Sequence, residues 1–188
     1  MKKRIKTGLT ILILLFFIII WSVLLYNISP VEIVQKIGVE NGYIIAFLIA
    51  VIGGISSVTA SSYYVIIGTL TAGGLNILLL GLIGGAGATI SDSLFYYIGK
   101  KGKEIHSKKT RKLEKFLKKI IKKSPVWGIY LIIFVYIGLT PLPNEILTAS
   151  LGLSGYKYKK AVLFIFLGNI TGTIVFGYLI SKGILIIF

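Results

Sequence analysis

Nineteen consecutive residues, 8–26, carry no charged side chain. As a helix that run spans about 28 Å, close to the thickness of a bilayer's hydrocarbon core. A second run, residues 75–98, is 24 residues long and holds a single acid, Asp92. Such segments have few folding options, because in lipid every backbone N–H and C=O must find its partner within the segment or in a closed barrel. The wider composition agrees: of 188 residues, 55% are hydrophobic and 14% charged, with a mean hydropathy of +0.90. A soluble domain carries about a quarter charged residues, and one of this length keeps too much of its surface in water to hide so much apolar area. A disordered chain, a coiled coil and a soluble nucleic-acid binder are excluded on the same ground. The chain reads as an all-α integral membrane protein.

Twenty-one basic residues against six acidic ones give a net charge of +15. In a soluble protein that balance would point to nucleic acid, but here the basic residues fall outside the apolar runs, and orientation against the membrane accounts for them. There is no cysteine, which removes disulfides, zinc–thiolate sites, haem attachment and thiol catalysis. His106 sits among lysines and reads as solvated. No metal and no cofactor are expected, and no enzyme activity either, since Ser-His-Asp, clustered histidines and paired carboxylates are missing. Gly84-Gly-Ala-Gly-Ala88 lacks the Lys-Ser/Thr and the preceding strand of a phosphate loop, and reads as a small-residue face for close helix packing.

The chain divides at about residue 41. Residues 1–41 read as an N-terminal anchor helix, uncleaved because Tyr26-Asn-Ile-Ser-Pro30 lacks a small-x-small exit, followed by an amphipathic interfacial segment, 30–39. Residues 42–183 read as the functional domain. Its first repeat, 42–102, has two apolar arms (43–55 and 63–70) too short to cross, a small polar turn at 56–62, and the crossing 75–98. The second, 125–183, has arms at 126–139 and 146–153, the turn Thr140-Pro-Leu-Pro-Asn-Glu145, and a crossing at 161–180. The loop between them, residues 99–124, holds twelve basic and two acidic residues. Leu113, Phe116, Leu117, Ile120 and Ile121 give it one apolar helix face, suited to anionic headgroups on the cytoplasmic side.

A shift of 81 positions aligns 63–102 with 144–183 without a gap, matching Leu70 to Leu151, Gly74 to Gly155, Gly87 to Gly168 and Tyr97 to Tyr178 among eight identities. With one crossing per repeat, the repeats are expected to be inverted, their re-entrant helical hairpins dipping from opposite faces as in membrane transporters.

Two acids lie inside the apolar regions, Asp92 and Glu145. A charge at membrane depth costs at least about 2.5 kcal/mol, so each is a functional candidate. Asp92, Tyr96 and Gly99 share a helix face; the alternative role for Asp92 is to pair with Lys100 or Tyr96 and fix the helix. Glu145 follows a turn whose Pro141 and Pro143 cannot continue a helix, with Asn144 as the expected N-cap. It either favours the helix dipole or lines a polar cleft and titrates. Asn169, Thr171 and Thr173 read as groups that join helices.

Asp92-x3-Tyr96-x2-Gly99-Lys100, Pro141-x-Pro143-Asn-Glu145 with the downstream Gly152, and Gly177-Tyr178 resemble motifs of the DedA family, also called the VTT-domain or SNARE-associated Golgi protein family. The resemblance covers roughly residues 42–183. It implies a lipid-handling transporter: a flippase or scramblase for phospholipid, or for a polyprenyl-phosphate carrier in bacteria, tied to proton motive force and envelope homeostasis. By position it makes Asp92 and Glu145 the acidic functional residues, with Asn144, Thr140, Tyr96 and Lys100 around them and Pro141, Pro143 and Gly152 shaping the turn. Three features depart from the family pattern. Ser91 replaces a glycine, the turn 56–62 lacks a proline and an acid, and Thr140 and Asn144 stand where bacterial members carry arginines. Lys157, Lys159 and Lys160 replace those arginines only if they reach the cleft.

The expected function is therefore lipid translocation, with membrane lipids as partners, no nucleic acid, and homo-oligomerisation left open. Two other readings stand beside it: a non-transporting scaffold that recruits partners through the basic loop, and a proton-coupled antiporter of small solutes or ions. The lysine- and isoleucine-rich composition points to a prokaryotic plasma membrane, with the N-terminus and basic loop cytoplasmic.

Overall fold

The structure, a computed structural model, describes residues 27–53, 57–102, 124–140 and 142–187, with isolated positions within 16–23 and 115–121. Most of the anchor at 8–26, residues 54–56, Pro141 and most of the amphipathic stretch of the basic loop lie outside the described residues.

Among the described residues the chain is all helical. In order it forms α1 (Pro30–Ile37), α2 (Val39–Gly53), α3 (Ser57–Ala72), α4 (Ile77–Gly102), α5 (Val126–Leu139), α6 (Asn144–Ser154) and α7 (Tyr158–Ile187). The 26 residues of α4 and the 30 of α7 are long and apolar enough to cross a membrane, about 39 and 45 Å at the α-helical rise. Leu78, Leu82, Leu94 and Ile98 of α4, and Leu163 and Leu179 of α7, are exposed on their outer faces. Apolar area on that scale belongs against lipid tails, and the protein is an integral membrane protein. The four helices α2, α3, α5 and α6 have 15, 16, 14 and 11 residues, each too short to span by itself.

Local chemistry sets the breaks. Ser29 caps α1 by accepting from the Glu32 amide at 3.2 Å, with Pro30 following where its missing N–H costs nothing. Gly38, at φ 86°, then turns the chain so that α1 and α2 meet at 98°. Asn76 caps α4, its side-chain oxygen accepting from the amides of Leu78 and Leu79 at 2.8 and 3.3 Å. Because that cap and the following lysines are tolerated, the crossing expected at 75–98 runs two residues later at its start and four later at its end. The polar stretch expected as a turn is helical from Ser57. Serine and threonine lower helix propensity by only tenths of a kcal/mol, roughly, while an unpaired backbone in lipid costs several.

The 81-residue offset is visible in the backbone. Leu75 N–H donates to the Leu70 carbonyl at 3.0 Å and Tyr156 N–H to the Leu151 carbonyl at 3.1 Å. Gly74 N–H bonds to Thr71 and Gly155 N–H to Gly152, both at 3.0 Å, with both glycines at positive φ, 100° and 76°. This is one helix terminator, the Schellman motif, built twice, and each copy ends three residues before a long helix begins. Gly74→Ala and Gly155→Ala should each lower stability by roughly 1–2 kcal/mol, because a Cβ is strained in the left-handed region. Thermal melts in detergent check this, and a silent substitution at either site would contradict the shared conformation.

Packing follows the same offset. The first arms α2 and α5 lie on the long helices of their own halves, α4 and α7, while the second arms lie mainly on the long helix of the other half, α3 on α7 and α6 on α4. Gly99 of α4 meets the backbone of Ala149 on α6; at the corresponding positions Gly68 of α3 meets Ile180 of α7. The long helices cross antiparallel through their small residues. A Cβ on Gly81 would strike Ile174, one on Gly85 would strike Ile170, and one on Gly84 would strike the Tyr63 hydroxyl. Glycines at such crossings let backbones approach where no hydrophobic force acts between helices.

Candidate functional site

Where α4, α6 and α7 meet, polar side chains from all three converge in an otherwise apolar interior. Asp92 is 3% exposed and Asn169 4%. The Asn169 amide donates to Asp92 Oδ2 at 2.8 Å and to Thr89 Oγ1 at 3.1 Å. Its carbonyl oxygen accepts from Asn144 Nδ2 at 3.2 Å. The Asn144 amide also faces the Asp92 carboxylate, and Glu145 stands close enough for its charge to act there. Two carboxylates and two amides thus gather at one spot, Asp92 and Asn169 buried and Asn144 and Glu145 half-buried, and Tyr64 approaches Asp92 from α3.

The cluster is continuous with a second polar contact. Thr173 Oγ1, one turn along α7 from Asn169, donates to the Asn169 carbonyl at 2.7 Å. Its hydrogen is therefore used, and the Tyr63 hydroxyl is the donor in the 2.7 Å bond between Tyr63 and Thr173. Tyr63 and Thr173 are the counterparts, 81 positions away, of Asn144 and Asp92. The same inter-helix contact is made of neutral hydroxyls in one half and of an amide and a carboxylate in the other.

Several sequence expectations change. Asn144 is not the N-cap of α6: Pro143 is, with no side-chain cap, because Asn144 is the first helical residue and its amide is committed to Asn169. Asp92 bonds to Asn169 rather than to Tyr96 or Lys100. Tyr96 is buried, but its hydroxyl donates to the Tyr156 carbonyl at 2.6 Å, a full turn beyond the cluster. Lys100 is exposed, two turns beyond. The Thr140 hydroxyl turns back on its own helix, donating to the Tyr136 carbonyl at 2.6 Å. Pro143 offers its carbonyl to the Tyr136 hydroxyl at 3.2 Å. Gly152 is a packing residue, its open Cβ position lying on the Tyr96 carbonyl and the Lys100 amide. Lys157 and Lys159 line a separate cavity with Tyr96 and Lys100, away from Asp92.

Thr89 is the one cluster residue that the sequence does not single out, and Asn169, expected to join helices, does so while holding the Asp92 carboxylate. The signal was present, since Thr89 and Asp92, and likewise Asn169 and Thr173, sit three or four apart on one face of a long apolar helix. Among the described residues no three His, Cys, Asp or Glu side chains gather as metal ligands.

Two membrane-length helices with a carboxylate–amide cluster buried between them, flanked by paired short helices, define a polytopic membrane protein with a polar interior. A family model for the VTT domain matches residues 60–182, and the chain belongs to that family, the DedA/SNARE-associated Golgi proteins. No curated protein and no solved structure matches it.

Proposed function

We propose that the protein is a lipid translocase, of flippase or scramblase type, that moves a phospholipid or a polyprenyl-phosphate carrier across the bilayer. The observation that carries this reading is the buried cluster of Asp92, Asn169 and Asn144 with Glu145 beside it. Carboxylates at such depth are expensive and mark substrate or proton pathways. In this reading α2–α3 and α5–α6 are the re-entrant hairpins of two inverted repeats. Their short lengths, the twice-built terminator and the reciprocal packing of the second arms support it. The hairpin tips then enclose a polar groove for the headgroup while the acyl chains stay in the lipid. Proton binding at Asp92 and Glu145 couples the movement to a proton gradient. The N-terminus and basic loop face the cytoplasm of a prokaryotic cell, by the positive-inside rule.

The test is lipid movement in proteoliposomes, following a fluorescent phospholipid and a short polyprenyl phosphate separately, with and without a pH gradient. Glu145→Gln should slow the transported lipid about tenfold or more without unfolding the protein, since each 1.4 kcal/mol on a barrier is about tenfold in rate. Wild-type rates in that variant would remove Glu145 from the mechanism. Absence of movement of either lipid under any gradient would remove the translocase reading itself.

A further inference from the structure

A cavity of about 620 Å³ opens where α4 ends and α7 begins. It lies two turns of α4 beyond Asp92, about 12 Å along the helix axis. Among the described residues, Lys100, Lys157 and Lys159 line it with Tyr96, Tyr97 and Tyr158, and no carboxylate does. The wall is ordered by its own contacts. Tyr96 holds the Tyr156 carbonyl, Tyr158 is hydrogen-bonded to Ser93, and the rings of Tyr96, Tyr97 and Tyr158 pack on one another with centroids 5.1–5.6 Å apart. The first turn of α7 contains no acid, so Lys157 and Lys159 face the positive end of its dipole without compensation.

The duplicated backbone supplies an internal comparison. At the other copy of this corner, Asn76, Leu78 and Ser181 stand for Lys157, Lys159 and Lys100, and Leu75, Ile77 and Gly177 stand for Tyr156, Tyr158 and Tyr96. The terminator and the helix start form there with no lysine at those three positions and without those three rings, although Lys182 and Tyr178 stand for Lys101 and Tyr97. Membrane orientation favours cations at one end and tyrosines at the interface, but it does not require three lysines and three tyrosines to line one cavity.

We propose that this cavity binds the phosphate-bearing headgroup of an anionic membrane lipid. The three ammonium groups surround the phosphate, and the tyrosine rings meet the lipid where headgroup joins chain. The site is separate from the Asp92 cluster, and binding there is measurable whether or not the protein moves lipid.

The experiment is equilibrium binding of fluorescent phosphatidic acid to the full-length protein in phosphatidylcholine nanodiscs, with fluorescent phosphatidylcholine as the neutral probe and inorganic phosphate as competitor. Lys157→Gln with Lys159→Gln should weaken phosphatidic acid binding about tenfold, whereas the arginine pair K157R/K159R should stay within about twofold of wild type. Lys101→Gln with Lys160→Gln removes the same charge from exposed residues at the same end that do not line the cavity, and should also stay within about twofold. Equal loss in both neutralised pairs would reduce the cavity to part of a diffuse basic surface. Unchanged binding in K157Q/K159Q, or displacement of the lipid by inorganic phosphate as readily as by unlabelled phosphatidic acid, would overturn the assignment to a lipid headgroup.

Discussion

Asp92→Asn should slow lipid movement by ten- to a hundredfold, roughly, while leaving the helices packed. An asparagine keeps the size of the side chain, and its carbonyl oxygen can still accept from the Asn169 amide, whose 2.8 Å bond to Oδ2 now holds α4 to α7. What disappears is the charge and the ability to take up a proton. Hydrogen bonds to charged groups are worth about 1.5–3 kcal/mol, and each 1.4 kcal/mol on a barrier is about tenfold in rate. Initial rates in proteoliposomes, set beside melting curves in detergent, separate the two effects. Asn169→Leu makes the contrast, since it removes the 2.8 Å bond to the Asp92 carboxylate and the acceptor of the Asn144 amide, leaving Asn144 as the neighbouring amide donor to Asp92. Losing a buried hydrogen bond to a charged group costs about 1.5–3 kcal/mol, so that variant should lower the melting temperature where Asp92→Asn does not. Wild-type transport by Asp92→Asn would reduce the carboxylate to a fastening between helices.

Gly152→Val should abolish the folded protein. The missing side chain at Gly152 lies on the Tyr96 carbonyl and the Lys100 amide, and three residues earlier Ala149 presents its backbone to Gly99. Both obstacles are main chain, so no rotamer change relieves the clash; α4 and α6 must separate, carrying Asn144 away from Asp92. Overpacking alone costs about 1–3 kcal/mol, and the cluster's hydrogen bonds are lost in addition. The matched control is Gly102→Ala, at the end of α4, where an added Cβ meets nothing within 4 Å. Size-exclusion profiles in detergent should show aggregate for the first and a normal monodisperse peak for the second. A monodisperse Gly152→Val with a wild-type melt would mean that α4 and α6 are not in backbone contact.

Much of the frame could be read from spacing alone. The arm 126–139 and α5 have the same bounds, and the 81-residue offset reappears as matched hydrogen bonds at Leu75 and Tyr156. These are local or periodic signals, set by run length and by glycine at positive φ. The site was less legible because its geometry depends on how helices face each other. Asp92 and Glu145 stood out as acids in apolar sequence, but a solitary amide such as Asn169 has the same appearance whether it joins two helices or organises a carboxylate. Tyr96 shares a face with Asp92, yet four residues along a helix is a rise of about 6 Å, enough to place its hydroxyl at a different corner. Asn144 had the chemistry of an N-cap, and a tertiary partner outcompeted the local one.

The exchange of second arms between halves also has a consequence in time. Helix α3 is complete at Ala72, but the surface it packs on, α7, begins only at Tyr158. At a synthesis rate of about 5–20 residues per second, α3 waits roughly 5–20 s after its own completion before its partner emerges. During that interval α3 lacks the surface it packs on in the finished protein. The molecule closes only when its last long helix arrives, so the order of synthesis makes α7 the latch for everything made before it.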